Sequence, residues 1–220
     1  MVLFSCYNNE LTSLEGCPSS VGGGFFCSRN KLILLEGAPS SVDGDFYCYN
    51  NELTSLEGGP STVGGDFHCS DNELTSLEGG PSTVGGNFYC SGNKLTSLEG
   101  APSSVDGHFG CAYNKLTSLE GGPSTVGGDF LCSDNKLITL EGFPTLFRLT
   151  TKINISHNPV REVYELFSDL KAIEYMNETG CINTDTMEVY YIALLDVWEY
   201  SGMEIVKPEN IKLRHYTLVY

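Results

Sequence analysis

The chain has 220 residues, enough for one or two domains, and is 40% hydrophobic, enough to build a core. Asp and Glu number 28 against 12 Lys and Arg, a net charge of −16, which repels phosphate backbones and anionic lipid surfaces and argues against direct nucleic-acid or membrane binding. The acidity is no terminal tail, because acids outnumber bases 17 to 6 over residues 1–150 and 11 to 6 over 151–220.

Met1-Val2-Leu3-Phe4 is apolar, but no basic n-region, long apolar run or small-residue cleavage site follows. No stretch approaches the ~20 apolar residues that span a bilayer. The expectation is a soluble chain made in a cytoplasm.

From Phe4 onward one phrase recurs, G-x-F-x-C-x-x-N-x-L-x-x-L-E-G-x-P-x-x-V, well represented by Gly44 to Val63. Its copies begin at Phe4, Phe25, Phe46, Phe67, Phe88, Phe109 and Phe130, 21 residues apart, and a degenerate eighth, Ile153 to Val160, follows a 23-residue step. A fixed period of this size is the mark of a solenoid. Residues 1–160 are assigned to the repeats and 161–220 to a C-terminal cap.

Each column of the repeat has a physical reading. Alternation in F-x-C sends Phe and Cys to one face of a short strand and the residue between them to the other. Cys6, Cys27, Cys48, Cys69, Cys90, Cys111 and Cys132 therefore read as a core column of free thiols rather than disulfides. A metal is not expected, since there is no C-x2-C pair and only four His are present. Asn9, Asn30, Asn51, Asn72, Asn93, Asn114, Asn135 and Asn158 read as buried amides that satisfy backbone groups where the chain leaves the strand, stacked into a ladder. Gly23, Gly44, Gly65, Gly86, Gly107 and Gly128, just before the strand, suggest a positive φ or a close backbone approach. Pro18, Pro39, Pro60, Pro81, Pro102, Pro123 and Pro144 stiffen a return of turns, extended or 3₁₀ segments that has no room for a helix. Glu15, Glu36, Glu57, Glu78, Glu99, Glu120 and Glu141 are expected to cap turn N–H groups or face solvent, because seven equivalent acids do not make one catalytic pair.

The segment F-x-C-x-x-N-x-L resembles the L-x-L-x-x-N-x-L signature of leucine-rich repeats, with Phe and Cys in two leucine positions, over about residues 3–160. The short Pro-containing return is similar to the repeats of bacterial effector leucine-rich proteins, and the N-P-V exit into an acidic segment resembles repeat proteins of large phages and giant viruses. The resemblance implies an α/β solenoid: a leucine-rich-repeat horseshoe with a parallel sheet on its concave face, non-helical convex turns and an α-helical C-terminal cap. It also implies binding through the sheet face.

On that face four columns vary while the framework columns hold. Phe26, Tyr47, His68 and Tyr89 run between Phe and Cys, flanked by Asp45, Asp66 and Asp129 before Phe. Tyr49 follows Cys, and Asp71, Tyr113 and Asp134 come one residue later. Aromatic residues anchor interfaces and the acids would steer a basic partner, although a stacked aromatic row also stabilises a sheet on its own.

After Pro159, residues 161–178 place Val163, Leu166, Phe167, Leu170, Ile173 and Met176 at helical spacing. A second helix is expected over about 185–200, with Met187, Tyr191, Leu194, Leu195 and Trp198 inward, followed by a β-prone tail at Tyr216–Tyr220. A helix pair would close the exposed end of the solenoid. At the other end, Leu3-Phe4-Ser5-Cys6 begins a strand almost at once, and such an open edge suggests a homodimer.

The sequence carries no Walker A loop, G-x-S-x-G, H-E-x-x-H or local Cys–His pair. The expectation is a protein-binding module with no catalytic residues and no cofactor, plausible as a phage or viral inhibitor of a host defence protein with a basic surface. A nucleic-acid mimic that occupies a basic cleft and a structural or assembly protein are the alternatives.

Overall fold

In a computed structural model, which describes residues 3–144, 146–147, 152–164, 182–183, 186–190, 194–195, 198–199 and 206–220, the 21-residue phrase closes into one coil of a parallel β-solenoid. Each coil gives one strand to each of two sheets. The front sheet has eight parallel strands in chain order, from Phe4–Ser5 through Phe130–Leu131 to Ile153–Asn154. The back sheet has seven, from Ser20–Val21 to Leu146–Phe147. Register follows the repeat, Phe25 on Phe46 and Phe46 on Phe67, and the longer last step still pairs Phe130 with Ile153. The return expected to be turns, extended or 3₁₀ segments is thus extended and hydrogen-bonded from coil to coil.

Two-residue strands are weak alone, and stacking makes them hold. Phe4 to Phe130 form one column of nearly parallel rings, with centroids 5.2–5.6 Å apart. Behind them Cys27 to Cys132, two leucines per coil such as Leu53 and Leu56, and the back-sheet valines are buried. The cysteines are free, as their column predicted, and burial pushes the Cys48, Cys69 and Cys90 thiols well up, so they act as small apolar side chains. Cys181 lies outside the described residues.

The Asn ladder takes the form that the amide chemistry suggests. The Asn72 side-chain N–H donates to the Cys48 and Cys69 carbonyls, both at 3.1 Å, and its Oδ1 accepts the Leu53 N–H at 3.0 Å. One amide therefore ties its own strand to the coil before it. Asn158 repeats the pattern to Cys132, Ile155 and Leu137, so the degenerate copy is still a working coil.

Two columns choose between the alternatives expected of them. Positive φ falls on the glycine after Glu, as at Gly58 (80°), and not on the glycine before the strand. The latter is needed for close approach: a Cβ on Gly44 would sit 2.8 Å from the Gly23 carbonyl carbon. The glutamates do not cap the turn. Ser Oγ does, accepting the Glu57 N–H from Ser55 and the Glu78 N–H from Ser76 at 3.1 Å, while the Glu side chains point to water.

Beyond the last coil a smaller core gathers Val163, Val189, Leu194, Trp198 and Tyr216. Arg161–Tyr164 is helical, as are Leu194, Leu195, Trp198 and Glu199. The rest of the first expected helix, with Leu166, Phe167, Leu170, Ile173 and Met176, lies outside the described residues, as does Tyr191. The second expected helix does not start near 185: Thr186-Met187 turns and Glu188–Tyr190 is a strand, antiparallel to Ile182–Asn183 and parallel to Thr217–Val219. The reason is local. Met187 has φ 54°, which stops a helix, and Val189 is buried in strand geometry that its β-branch favours. The Tyr216 hydroxyl donates to the Ile138 carbonyl at 2.7 Å, pinning this segment to the solenoid.

A candidate interaction face on the front sheet

Outward on the front sheet, the residue between Phe and Cys makes a continuous row. Phe26 meets Tyr47 at 5.0 Å, Tyr47 meets His68 at 5.9 Å and His68 meets Tyr89 at 5.3 Å between ring centroids. Tyr49, two residues along its strand, closes on His68 at 4.6 Å. All five are half-buried, so each ring lies against its neighbours and still presents an edge or face to solvent. The row stops at Gly110, where a Cβ would come within 2.8 Å of the Tyr89 ring.

Burial, then the nearby Asp45 and Asp66 carboxylates, push the Tyr47 hydroxyl up to about 12. Tyr89 is raised for the same first reason, with Asp66 and Asp129 adding to it. Burial lowers the His68 imidazole, and Asp71 and Asp66 oppose that shift. At neutral pH the row is therefore uncharged, and the negative charge lies beside it.

The column before Phe has a structural task that the sequence reading did not give it. Asp45 Oδ1 accepts the Asp66 N–H at 2.9 Å, Asp66 Oδ1 accepts the Asn87 N–H at 2.7 Å, and Asn87 Oδ1 accepts the His108 N–H at 2.7 Å. His108 Nδ1 then accepts the Asp129 N–H at 2.7 Å, and Asp129 Oδ1 accepts the Lys152 N–H at 2.9 Å. An accepting Nδ1 carries no proton, so the 3.7 Å approach of that atom to Asp129 Oδ2 is not an ion pair. Asp45, Asp66 and Asp129 thus each commit one carboxylate oxygen to the ladder. Asp66 gives the other to the Asn87 side chain at 3.0 Å. A signal was present: every residue from Asp45 to Asp129 in this column can accept a hydrogen bond.

The fourth column, directly before the ladder Asn, is the left-handed corner of each coil. Arg29, Asn50, Asp71, Tyr113 and Asp134 have φ between 53° and 55°, and Gly92 has 66°. Side chains here stand away from the core, and Tyr113 is 64% exposed. Asp71 and Tyr113 meet His68 and Tyr89 around a hollow of about 420 Å³, floored by Ser70 and Ser91. Asp134 is not brought into this group; it pairs with His157 Nδ1 at 2.8 Å. Arg29 was not singled out by sequence, yet its guanidinium carbon lies 5.7 Å over the Tyr7 ring.

A second hollow of about 490 Å³, lined by His157, Arg161, Glu162, Lys212 and Arg214, lies where the last coil meets the C-terminal segment. Among the described residues no three His, Cys, Asp or Glu side chains are grouped to hold a metal, and no helix is long and apolar enough to cross a membrane. No family model matches the chain, and neither a curated protein nor a solved structure matches it.

Proposed function

We propose that this protein is a non-enzymatic interaction module that binds a basic protein surface through the front sheet. The observation that carries the reading is the unbroken half-exposed row of Phe26, Tyr47, His68 and Tyr89, with Tyr49 beside it. Rings held by their neighbours lose little side-chain freedom on binding, which makes them good anchors. A chain of net charge −16 attracts cationic partners at long range.

The resemblance to leucine-rich repeats supports the same reading, with Phe and Cys standing for two leucines and the Asn ladder turning the chain off the strand. The back strand is one of the forms expected of the return, which was to be turns, extended or 3₁₀ segments, and its pairing from coil to coil is new. The likeness to phage and viral repeat proteins supports the finer version, in which the bound protein is a host factor.

A displayed library of random peptides, selected on the immobilised chain at physiological salt, tests the proposal. Selected peptides should be rich in Arg and Lys and should be lost on a variant with Tyr47, His68 and Tyr89 all changed to Ala. Peptides without basic bias, or full retention by the variant, would overturn it. Displacement of the peptides by the chain but not by duplex DNA of equal charge keeps the site specific to protein.

A further inference from the structure

The same surface feature occurs twice along the front sheet, once filled and once open. In the first three coils the column after Cys reads Tyr7, Ser28, Tyr49. Tyr7 and Tyr49 meet over Ser28, which is fully buried with no hydrogen-bond partner for its hydroxyl. Arg29, at the left-handed corner, lays its guanidinium over Tyr7.

Over the next coils the same column reads Ser70, Ser91, Ala112, and the corner residue of the middle coil is Gly92. Small side chains replace the two tyrosine roofs, and nothing stands where Arg29 stands. The result is the hollow of about 420 Å³, walled by His68 and Tyr89 on the strand side and by Asp71 and Tyr113 on the corner side. Among the described residues the Asp71 carboxylate has no hydrogen-bond or ion-pair partner, unlike the ladder acids and Asp134.

We propose that this hollow receives one arginine side chain of the partner, with its guanidinium against the Tyr89 or Tyr113 ring and paired with Asp71. The inference rests on the reading of the front sheet as a surface for basic proteins and names the group that the surface selects. Three observations converge on arginine. Tyrosine faces attract a planar cation, Asp71 offers two acceptor oxygens to its N–H fork, and the serine hydroxyls can accept the remaining donors. A quaternary ammonium would leave those acceptors unused. The chain's own Arg29–Tyr7 contact shows the packing that this surface supports. His68, kept neutral by burial, does not repel the cation.

The test titrates the whole chain with N-acetyl-arginine amide, its lysine counterpart and the uncharged isostere N-acetyl-citrulline amide, following tyrosine and histidine ring signals by NMR. Arginine amide should shift the Tyr89, Tyr113 and His68 signals saturably, lysine amide should bind about 3- to 10-fold more weakly, and citrulline amide should bind weakest of the three. Asp71→Asn and Ser70→Tyr should each weaken arginine binding by about 5-fold or more, the second by rebuilding the roof that Tyr7 supplies, while Ser70→Ala weakens it less. Equal binding of arginine and citrulline amides, or an Asp71→Asn variant that binds as wild type does, would overturn the proposal. A ten-residue Arg- and Lys-rich peptide separates the two readings. If it binds wild type, depends on Tyr47 and ignores Asp71→Asn, the face stands and the hollow falls. If it does not bind wild type at all, the face itself falls.

Discussion

The front and back sheets solve one folding problem in the same way and then diverge. Both are parallel, in register, one strand per coil, and both close on the same core. On the back sheet the outward residue is Ser20, Ser41, Thr62, Thr83, Ser104 and Thr125, a column that barely changes. Even the serine before it is held, because Ser40, Ser61 and Ser82 each donate to the serine carbonyl one coil earlier, at 3.2–3.3 Å. On the front sheet the matching column reads Phe26, Tyr47, His68, Tyr89, Gly110 and Leu131. Stacking coils does not require that variety, since the back sheet stacks without it. The difference teaches where this chain is free to specialise.

The largest expected effect breaks what the two sheets share. Phe67 is fully buried between the rings of Phe46 and Phe88. Phe67→Ala should cost about 3–5 kcal/mol in urea unfolding, whereas Thr62→Ala, exposed on the back, should stay within about 0.5 kcal/mol. Tyr47→Ala should cost about 1 kcal/mol of stability and most of the binding to a basic peptide. Equal stability losses for Phe67→Ala and Tyr47→Ala would end the distinction between framework and display.

Next comes the seam between the sheets. Asn93→Ala removes an amide that donates to the Cys69 and Cys90 carbonyls and accepts the Leu74 N–H. The Leu74 N–H loses its acceptor, while the Cys69 and Cys90 carbonyls each keep one amide donor, from Asn72 and Asn114, so about 1–3 kcal/mol should be lost. Asn93→Asp keeps the acceptor and loses both donors, and it should be no better. Wild-type stability of Asn93→Ala, measured by the same unfolding curve, would remove the Asn ladder from the account of the fold.

These framework features were legible in sequence for a physical reason. A solenoid coil repeats its contacts, so a residue type that recurs every 21 positions exposes its own role: Phe and Cys as core, Asn as amide bridge. The back strand was half legible, since an extended return was one of three forms expected but nothing announced its pairing. The ladder through Asp45, Asp66, Asn87, His108 and Asp129 was hidden because three chemistries do one job, accepting an N–H. The C-terminal segment has no repeat to average over. There Val189 and Tyr190, placed in a helix by spacing, are instead strand residues fixed by pairing with Leu218 and Val219, far along the chain.

The ladder yields a smaller prediction that sharpens the comparison. His108→Leu leaves the Asp129 N–H without the acceptor that Nδ1 provides at 2.7 Å, and should cost about 1–2 kcal/mol. His108→Asn restores an acceptor of the kind that Asn87 already supplies one coil earlier, and should return most of it. If leucine and asparagine are equivalent, measured by thermal unfolding, this column belongs to display after all and not to the framework.

The smallest effect tests the display row through its one imidazole. Folding lowers the His68 imidazole below its ordinary value, burial being the larger cause against Asp71 and Asp66. Below about pH 6.5 the unfolded chain therefore binds a proton there more readily than the folded one. Stability should fall as pH drops through that point and level off once the folded-state value is passed. Binding of a basic peptide should weaken only lower, as pH falls through the folded-state value, because a protonated His68 then puts positive charge between Tyr47 and Tyr89. His68→Tyr, which continues the ring row with a group neutral at these pH values, should flatten both slopes relative to wild type. Back-sheet positions such as Thr62 carry no titratable group, so Thr62→Ala should leave both slopes as they are. An unchanged pH dependence in His68→Tyr would place the titrating group elsewhere and detach the row's neutrality from its proposed role.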